Sequence, residues 1–322
     1  MTLLQAITQF VESIAVTDRQ EEGIKISLDN IYCHLMNKDN DLHVKKNFTN
    51  GSYDRDTIIR PLNDVDIFCV LKREAWEDKY QQLPKPQAVL TKIKDYLNKQ
   101  TEYKDKVKQD RPCVTICLSD KNFDVLPCFE IFGGGYYIPN YELNGWDFSY
   151  PEQLYSDLER VHKLRNYKIK QIIKAVKYWN RNLEKLIPSY HIEEIAITLF
   201  SVYGFKNLME GIQIWYDNAS SYLQPSKFKS QKNYNATIEN IGKANDKLQD
   251  ALEKYNNGKE GEAIQIWKNI FGRDFPTIDA EEAKNFAKSI SEGSLKVAST
   301  GLLSTSGGYP IAASKGYHGG TF

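Results

Sequence analysis

The chain has 322 residues, of which 41% are apolar and 26% are charged, a balance typical of a folded globular protein rather than a disordered or fibrous one. Lysine plus arginine and aspartate plus glutamate both number 42, so the formal net charge is zero and no overall field attracts nucleic acid or an anionic membrane. No apolar run approaches the roughly 18 residues that span a bilayer, and the N-terminal segment lacks the basic region and cleavage site of a secretion signal. We therefore expect a cytoplasmic protein that does not engage a membrane.

The first part of the chain passes from helical to strand-like patterns. Apolar residues from Leu3 to Ile14 recur at helical spacing, which predicts a long amphipathic N-terminal helix, and a second helix is expected to run to about Met36. Short β-rich runs follow, with one helix among them from about Pro86 to Lys99; the runs are VKKNFT, DVDIFCVL, PCVTICL and KNFDVLPCFE. This order predicts a mixed α and β lobe in residues 1–150.

The second part of the chain is helical. From Pro151 onward the periodicity predicts helices over about 151–163, 166–186, 191–209, 235–256 and 260–270, which together form a helical lobe in residues 151–276. Beyond Pro276 the composition shifts towards Ser, Gly, Ala and Thr, which bury too little surface to offset the entropy of ordering. Residues 277–322 are therefore expected to form a flexible tail.

Three aspartates lie in strand-like apolar runs. Asp64 and Asp66 are two residues apart in DVDIFCVL, so both carboxylates project from one face of the predicted strand. A bare Asp-x-Asp is more often a pair of solvated carboxylates at the start of a strand. Asp124, in the apolar run FDVLP, changes this balance, because an isolated buried charge is costly and a third carboxylate on a neighbouring strand completes a two-metal site.

A Gly-Ser pair precedes these aspartates. Gly51 and Ser52 follow the run VKKNFTN and begin a short turn or helix, where backbone amides and a hydroxyl can hold phosphate oxygens. Taken alone, Asn50-Gly51 fits a tight hairpin turn about equally well. A phosphate-binding turn next to a carboxylate cluster is the pattern expected for phosphoryl transfer.

Together these motifs resemble the polymerase-β-type nucleotidyltransferase superfamily. The specific part of the likeness is a Gly-Ser pair, an Asp-x-Asp that begins twelve residues after the serine, and an aspartate in FDVLP. Within the superfamily the chain is similar to the oligoadenylate synthases and to the bacterial relatives of cyclic GMP–AMP synthase that act in antiphage (CBASS) signalling. The similarity extends to about residue 276 and includes VKYWN, SYH and WKNIFGRDF. It implies an α+β fold, with a polymerase-β-like nucleotidyltransferase core, a long N-terminal helix and a helical C-terminal lobe.

The resemblance also implies a role for each motif residue. Two Mg²⁺ or Mn²⁺ ions are expected as cofactors, held by the catalytic carboxylates Asp64, Asp66 and Asp124. In that scheme Asp124 ligates the ion that activates the attacking ribose hydroxyl. The donor NTP is expected to contact Gly51, Ser52, Lys177, Ser189 and Tyr190. Of these, Gly51 and Ser52 hold the triphosphate, Ser189 and Lys177 contact phosphate, and the ring of Tyr190 stacks on a nucleobase.

A stripe of four basic residues can be recognised without reference to any family. Lys170, Lys174, Lys177 and Arg181 lie on one side of the predicted helix 166–186, and no acidic residue occurs between Arg160 and Arg181. A charge run is usually a solvated face. Because this stripe is unbalanced along its own helix, we favour phosphate binding.

The leading hypothesis is a metal-dependent nucleotidyltransferase that makes a cyclic di- or trinucleotide second messenger from NTPs and releases pyrophosphate. The resemblance implies that ATP is one of these NTPs. One alternative is a template-independent oligonucleotide or tRNA-tailing nucleotidyltransferase, which normally shows a basic surface. Another is a nucleotide-binding pseudoenzyme, which normally lacks part of the carboxylate set. The neutral charge and the intact set argue against both.

The resemblance also bears on partner molecules. The zinc-binding insertion of the metazoan DNA sensor has no counterpart here, so double-stranded DNA is not expected as an activator. Some bacterial relatives have C-terminal tails that are captured by a ubiquitin-ligase-like protein. The tail of this chain ends in Thr321-Phe322 instead of a small residue, which favours docking to such a partner, or to another regulatory protein, over conjugation.

Overall fold

The computed structural model describes residues 1–62 and 64–277 and, further along the chain, only residues 296–297, 303–304 and 309–310. Two helices open the chain, α1 (Leu3–Ile14) and α2 (Asp18–Leu35), and each begins with a capping box formed by a threonine and a glutamine, at Thr2 and Thr17. The predicted amphipathic helix α1 is confirmed, and its apolar side is fully buried. Helix α1 packs in the core of the helical lobe, although the strands of the sheet come between α1 and that lobe in the sequence.

A seven-stranded mixed sheet forms the other lobe. Its strands are β1 (Val44–Asn50), β2 (Asp64–Leu71), β3 (Val107–Asp110), β4 (Cys113–Cys117), β5 (Asn122–Glu130), β6 (Tyr136–Pro139) and β7 (Trp146–Ser149). The order is β1-β2-β5-β4-β3, with β6 pairing β5 and β7. Only β2 and β5 are parallel, and every other pair in this sheet is antiparallel.

Helices α2 and α4 (Pro86–Asn98) cover one face of this sheet. Their apolar residues share a buried core with alternate residues of β2 and β5, among them Val65, Ile67, Phe123 and Val125. Because side chains alternate along a strand, the residues between them point to the opposite face. A short helix, α3 (Gly51–Asp54), joins the end of β1 to the segment that leads into β2.

The helical lobe contains α5 (Pro151–Leu164), α6 (Ile169–Asn182), α7 (Ser189–Val202), α8 (Leu208–Asn218), α9 (Gln231–Asn256) and α10 (Glu260–Phe271). The predicted helix 191–209 is confirmed as α7, but its predicted end is wrong, because α7 ends at Val202. A separate helix, α8, begins at Leu208, and Asn207 caps it by accepting from the Glu210 amide. The predicted helix 166–186 is shorter, since Asn166, Tyr167, Glu184 and Lys185 have positive φ angles.

The α+β fold is therefore confirmed, while the boundary at residue 150 stays a prediction, with α1 on the helical side of it. Within the predicted tail the structure describes three two-residue strands, β8 (Lys296–Val297), β9 (Leu303–Ser304) and β10 (Tyr309–Pro310), paired antiparallel in the order β10-β8-β9. The rest of the predicted flexible tail lies outside the described residues. No helix in the described part of the chain is long and apolar enough to cross a bilayer.

Candidate active site

The three predicted carboxylates come together on one face of the sheet. Strands β2 and β5 run parallel in a register that places Asp66 opposite Asp124, with Asp64 two residues before Asp66 on β2. Val65 and Ile67, which alternate with them, are fully buried in the core on the other face. The predicted orientation of Asp64 and Asp66 is therefore confirmed.

Each carboxylate has a different neighbour. The Thr115 hydroxyl donates to Asp124 Oδ1 at 2.5 Å, and the Asn122 side-chain amide donates to Asp64 Oδ1 at 3.0 Å. The carboxylate of Asp66 lies against the backbone of Gly51, where a Cβ atom would be only 1.8 Å from Asp66 Oδ2. Gly51 also has a φ of +72°, so this position favours glycine for two independent reasons.

Crowding of the carboxylates changes their protonation. Burial, and then the charge of Asp124, raise the pKa of Asp66 from its ordinary value of 3.8 to about 7. Burial also raises the pKa of Asp124. The hydrogen bond from Thr115 partly opposes this rise, and the charge of Asp64 reinforces it. A divalent cation between these groups would relieve the repulsion and restore the ionised forms.

The donor set fits a hard divalent cation in its chemistry, because it consists of carboxylate oxygens at the mouth of a cleft. Among the described residues, no three His, Cys, Asp or Glu side chains already form a metal cage. The carboxylate of Asp66 is turned towards Gly51, and that of Asp124 towards Thr115.

The Gly51-Ser52 turn is held in place by hydrogen bonds from the segment that follows it. The Ser52 carbonyl accepts hydrogen bonds from the backbone amides of Thr57, at 2.8 Å, and Ile58, at 3.0 Å. Gly51 and Ser52 begin α3 directly after β1, as the sequence predicts. The turn and the carboxylates thus face the same cleft.

This cleft has a volume of about 440 Å³ and lies between the two lobes. Its walls include Asn50, Gly51, Ser52, Arg55, Asp64, Asp66, Phe68, Cys113, Asp124, Leu126, Ile138, Ser149, Lys185, Ser189, Tyr190 and Glu193. A larger cavity, of about 710 Å³, lies along α4 but contains none of the three carboxylates. We therefore take the smaller cleft as the candidate active site.

The opposite wall of the cleft is the start of α7. Ser189 and Tyr190 are its first residues, directly after Pro188, and both line the cleft. The ring of Tyr190 is 44% exposed, and the Lys227 ammonium lies 5.1 Å from its centre. Glu194, the partner of that ammonium, accepts from it with both carboxylate oxygens, at 2.7 and 2.6 Å. An exposed ring beside a lysine that is itself held by an ion pair is suited to stacking on a nucleobase.

Lys177 lies behind the cleft rather than in its wall. Its side chain is buried, and its ammonium donates to Glu193 Oε1 at 2.6 Å and to Thr57 Oγ1 at 2.9 Å. It lines a small cavity of about 50 Å³ that Ser52 and Ser189 also border. Burial lowers the pKa of Lys177, and the charge of Glu193 opposes that shift.

The basic stripe on α6 is not unbalanced, contrary to the interpretation from the sequence. Lys170 pairs with Glu159 at 2.6 Å and Lys174 with Asp56 at 2.7 Å. The Arg181 guanidinium donates to the carbonyl of Arg60. The missing acidic partners come from other elements, which a search along the helix itself does not reveal. Phosphate binding by Lys170 and Lys174 is therefore not supported.

Sequence reasoning missed two buried residues of the site, Arg55 and Glu193. Glu193 is fully buried on α7, and the Arg55 Nε donates to its Oε2 at 2.6 Å. Burial opposes ionisation, but the charges of Lys177 and Arg55 hold the pKa of Glu193 below its ordinary value. One available signal was the spacing of four residues between Ser189 and Glu193, which places both on one face of a helix.

Comparison with known proteins agrees with this geometry. The family described as the Second Messenger Oligonucleotide or Dinucleotide Synthetase domain matches residues 1–161. The "Probable cyclic nucleotide synthase" of Bacillus cereus (strain VD146) is 26% identical and covers 86% of this chain and 98% of its own length. The cyclic AMP-AMP-AMP synthase of an Acinetobacter species is also 26% identical, over 74% of this chain and 75% of its own.

Solved structures share the fold. The CdnC protein of Escherichia coli MS115-1 with ATP superposes with a TM-score of 0.69 at 17% identity, covering 85% of this chain and 98% of that one. The DncV cyclic AMP-GMP synthase of Vibrio cholerae, with the linear intermediate pppA(3′,5′)pG, gives 0.66 at 11% identity and covers 86% and 97%.

The resemblance seen in the sequence is thus confirmed by a family match to the lobe that carries the carboxylates and by a shared fold that extends through the helical lobe. The chain belongs to the Second Messenger Oligonucleotide or Dinucleotide Synthetase family, and the predicted enzyme class, a metal-dependent nucleotidyltransferase that makes cyclic oligonucleotides, is confirmed.

Proposed function

We propose that this protein joins NTPs, one of them ATP, into a cyclic di- or trinucleotide, with two Mg²⁺ or Mn²⁺ ions as cofactors. The observation that carries the proposal is the register of β2 and β5, which sets Asp66 opposite Asp124 beside the Gly51-Ser52 turn. Carboxylates next to a phosphate-binding turn are the arrangement that phosphoryl transfer requires. The named relatives, a cyclic AMP-AMP-AMP synthase among them, support a cyclic product.

The donor nucleotide is proposed to lie between the two walls of the cleft. Gly51 and Ser52 hold its triphosphate from one wall, and Ser189 contacts phosphate from the other. The ring of Tyr190 stacks on the base, and Lys177 adds positive charge from behind Ser52 and Ser189.

Asp64, Asp66 and Asp124 are the proposed metal ligands. When bound there, the ions would polarise the phosphate oxygens and lower the pKa of the attacking hydroxyl. The attacking ribose oxygen forms a bond to the α-phosphorus of the donor, and the bond from that phosphorus to the bridging oxygen breaks. Pyrophosphate leaves with the bonding electrons, and the Asp124 carboxylate accepts the hydroxyl proton. Repeating the transfer within the linear product closes the ring.

An antiphage signalling role and a regulatory partner protein are further parts of the proposal. Both rest on the resemblance to bacterial antiphage synthases. The CdnC protein of E. coli MS115-1 has also been solved in complex with a HORMA protein, which supports a protein partner for this fold. A ubiquitin-ligase-like partner that docks on the C-terminal tail is the other candidate.

The test is incubation of the purified protein with single and paired labelled NTPs and Mg²⁺ or Mn²⁺, followed by phosphatase treatment. We expect a phosphatase-resistant product, because a closed ring has no terminal phosphate. A labelled product that phosphatase degrades would indicate the oligonucleotide-tailing alternative. Binding of NTP with no product at all would indicate the pseudoenzyme.

A further inference from the structure

A charged network is buried at the junction of the two lobes, behind the donor side of the cleft. It consists of Arg55, Thr57, Lys177 and Glu193. Thr57 and Glu193 have no exposed surface, and Arg55 and Lys177 are 5% and 6% exposed. The network joins the segment after α3 to helices α6 and α7.

Glu193 is the centre of this network, and both of its oxygens are occupied. Oε2 accepts from Arg55 Nε at 2.6 Å. Oε1 accepts from the Thr57 hydroxyl at 2.5 Å and from the Lys177 ammonium at 2.6 Å. The Lys177 ammonium also donates to Thr57 Oγ1 at 2.9 Å, so the threonine hydroxyl bridges the two charged groups.

The same network holds both ends of the Gly51-Ser52 turn. Arg55 Nη1 donates to the Asn50 side-chain carbonyl, at 3.3 Å, directly before Gly51. The Thr57 backbone amide donates to the Ser52 carbonyl, at 2.8 Å. Glu193 therefore reaches the turn by two routes, one on each side.

Glu193 also belongs to the opposite wall of the cleft. It lies one helical turn after Ser189 on α7, so both residues project from the same face of one rigid element. A single carboxylate thus connects the two surfaces between which the donor triphosphate is proposed to lie. Two cations and one carboxylate leave the network with one net positive charge, which suits a neighbouring triphosphate.

Stability alone is a weak reason for such a network. A buried ion pair pays a large desolvation penalty, and apolar residues of similar volume often replace one without loss of stability. Positioning is a stronger reason, because displacing a substrate-binding group by about 1 Å can lower the rate by as much as a hundredfold.

We propose that Glu193 is a positioning residue that, through Arg55 and Thr57, sets the Gly51-Ser52 turn at a fixed distance from Ser189 and so shapes the donor triphosphate site. This inference rests on the proposed function. Lys177, in the same arrangement, holds Glu193 and Thr57 in place.

The test compares variants that remove one hydroxyl or one charge from the network at nearly constant shape. Thr57→Val deletes the bridging hydroxyl, and Thr57→Ser retains it. Glu193→Gln deletes the charge. Glu159→Gln is the matched control, since it breaks the ion pair of Glu159 with Lys170 on α6 and touches no residue of the cleft. For each variant we would measure kcat and KM for ATP, the melting temperature, and the affinity for a non-hydrolysable ATP analogue by calorimetry.

We expect Thr57→Val and Glu193→Gln to lower kcat/KM by about ten- to a hundredfold and to weaken analogue binding. Thr57→Ser and Glu159→Gln should match the wild type in both. If Glu193→Gln fails to fold, the two Thr57 variants decide the matter.

Folded Thr57→Val protein with wild-type kcat/KM and analogue affinity would overturn the inference, and so would a change confined to the melting temperature. Failure of the proposed function looks different. In that case the wild-type protein itself yields no oligonucleotide product from any NTP combination, whereas the analogue affinities still report on positioning.

Discussion

At the scale of single residues, Asp66 combines its proposed catalytic role with a cost to stability. Its pKa is raised from 3.8 to about 7 by burial and by the charge of Asp124. The folded state therefore favours the protonated form of Asp66 over the ionised form. The stabilising contribution of the protonated form is fully present below pH 3.8 and is lost as the pH rises towards 7.

We predict that Asp66→Asn lowers product formation at least about a hundredfold, because removing a metal-held charge removes transition-state stabilisation. In metal-free buffer at pH 8 the same change should raise the melting temperature by a few degrees, and at pH 5 by less. Added Mn²⁺ should stabilise the wild type at pH 8 but not the variant. Retention of a tenth of the wild-type turnover would contradict the metal-ligand role.

Gly51 supports a second prediction at this scale. Gly51→Ala should lower turnover at least about tenfold, because the new Cβ would lie 1.8 Å from Asp66 Oδ2 and force that carboxylate to move. Gly258→Ala is the matched control: Gly258 also has a positive φ, of +75°, but no atom lies within 4 Å of its Cβ position. Equal turnover losses in the two variants would mean that backbone strain, rather than the clash with Asp66, is responsible.

Tyr190→Ala should weaken binding of each NTP by about 1–3 kcal/mol, with little dependence on the base, because a stacking ring does not read base edges. Tyr203→Ala, at the end of the same helix, is the control; Tyr203 is 40% exposed, close to the 44% of Tyr190, and does not line the cleft. Calorimetric titration with ATP, GTP, CTP and UTP measures the effect. Normal binding by Tyr190→Ala would place the base elsewhere.

At the scale of elements, α1 stabilises the lobe that follows the sheet in the chain. Its residue Phe10 packs against the rings of Tyr178, Phe271 and Phe275, with ring centres 5.2 to 5.3 Å apart. Phe10→Ala should therefore destabilise the protein by about 3–5 kcal/mol through the cavity it leaves. Chemical denaturation measures this change, and Gln9→Ala, on the exposed side of the same helix, should leave stability unchanged.

The helices show where sequence patterns suffice. Apolar periodicity located α1 and α10 closely, because this signal is local. The junction between α7 and α8 was missed, since both helices are apolar and only a short segment separates them. Strands β3, β6 and β7 were not predicted as strands; each has four residues, and what defines them is pairing with distant neighbours.

At the scale of the whole molecule, every residue proposed to act in catalysis or binding lies between Gly51 and Glu193. Deleting residues 301–322 should therefore leave the turnover of the purified enzyme within about twofold, while weakening any complex with a tail-binding partner. Steady-state kinetics of the truncated and full-length proteins provide the measurement. A severe loss of turnover would show that the tail supports the catalytic lobes.

The sequence by itself determined the carboxylates Asp64, Asp66 and Asp124 as candidates and the Gly51-Ser52 turn, because these rest on residue identity and on patterns along one chain. The enzyme class followed from the resemblance of these motifs to a known family. Only the tertiary structure decided that Lys170 and Lys174 are neutralised by Glu159 and Asp56. It alone revealed that Lys177, Arg55 and Glu193 share one buried network. The physical reason is that charge balance and burial depend on which elements meet in space, and Arg55 and Glu193 meet across 138 positions of sequence.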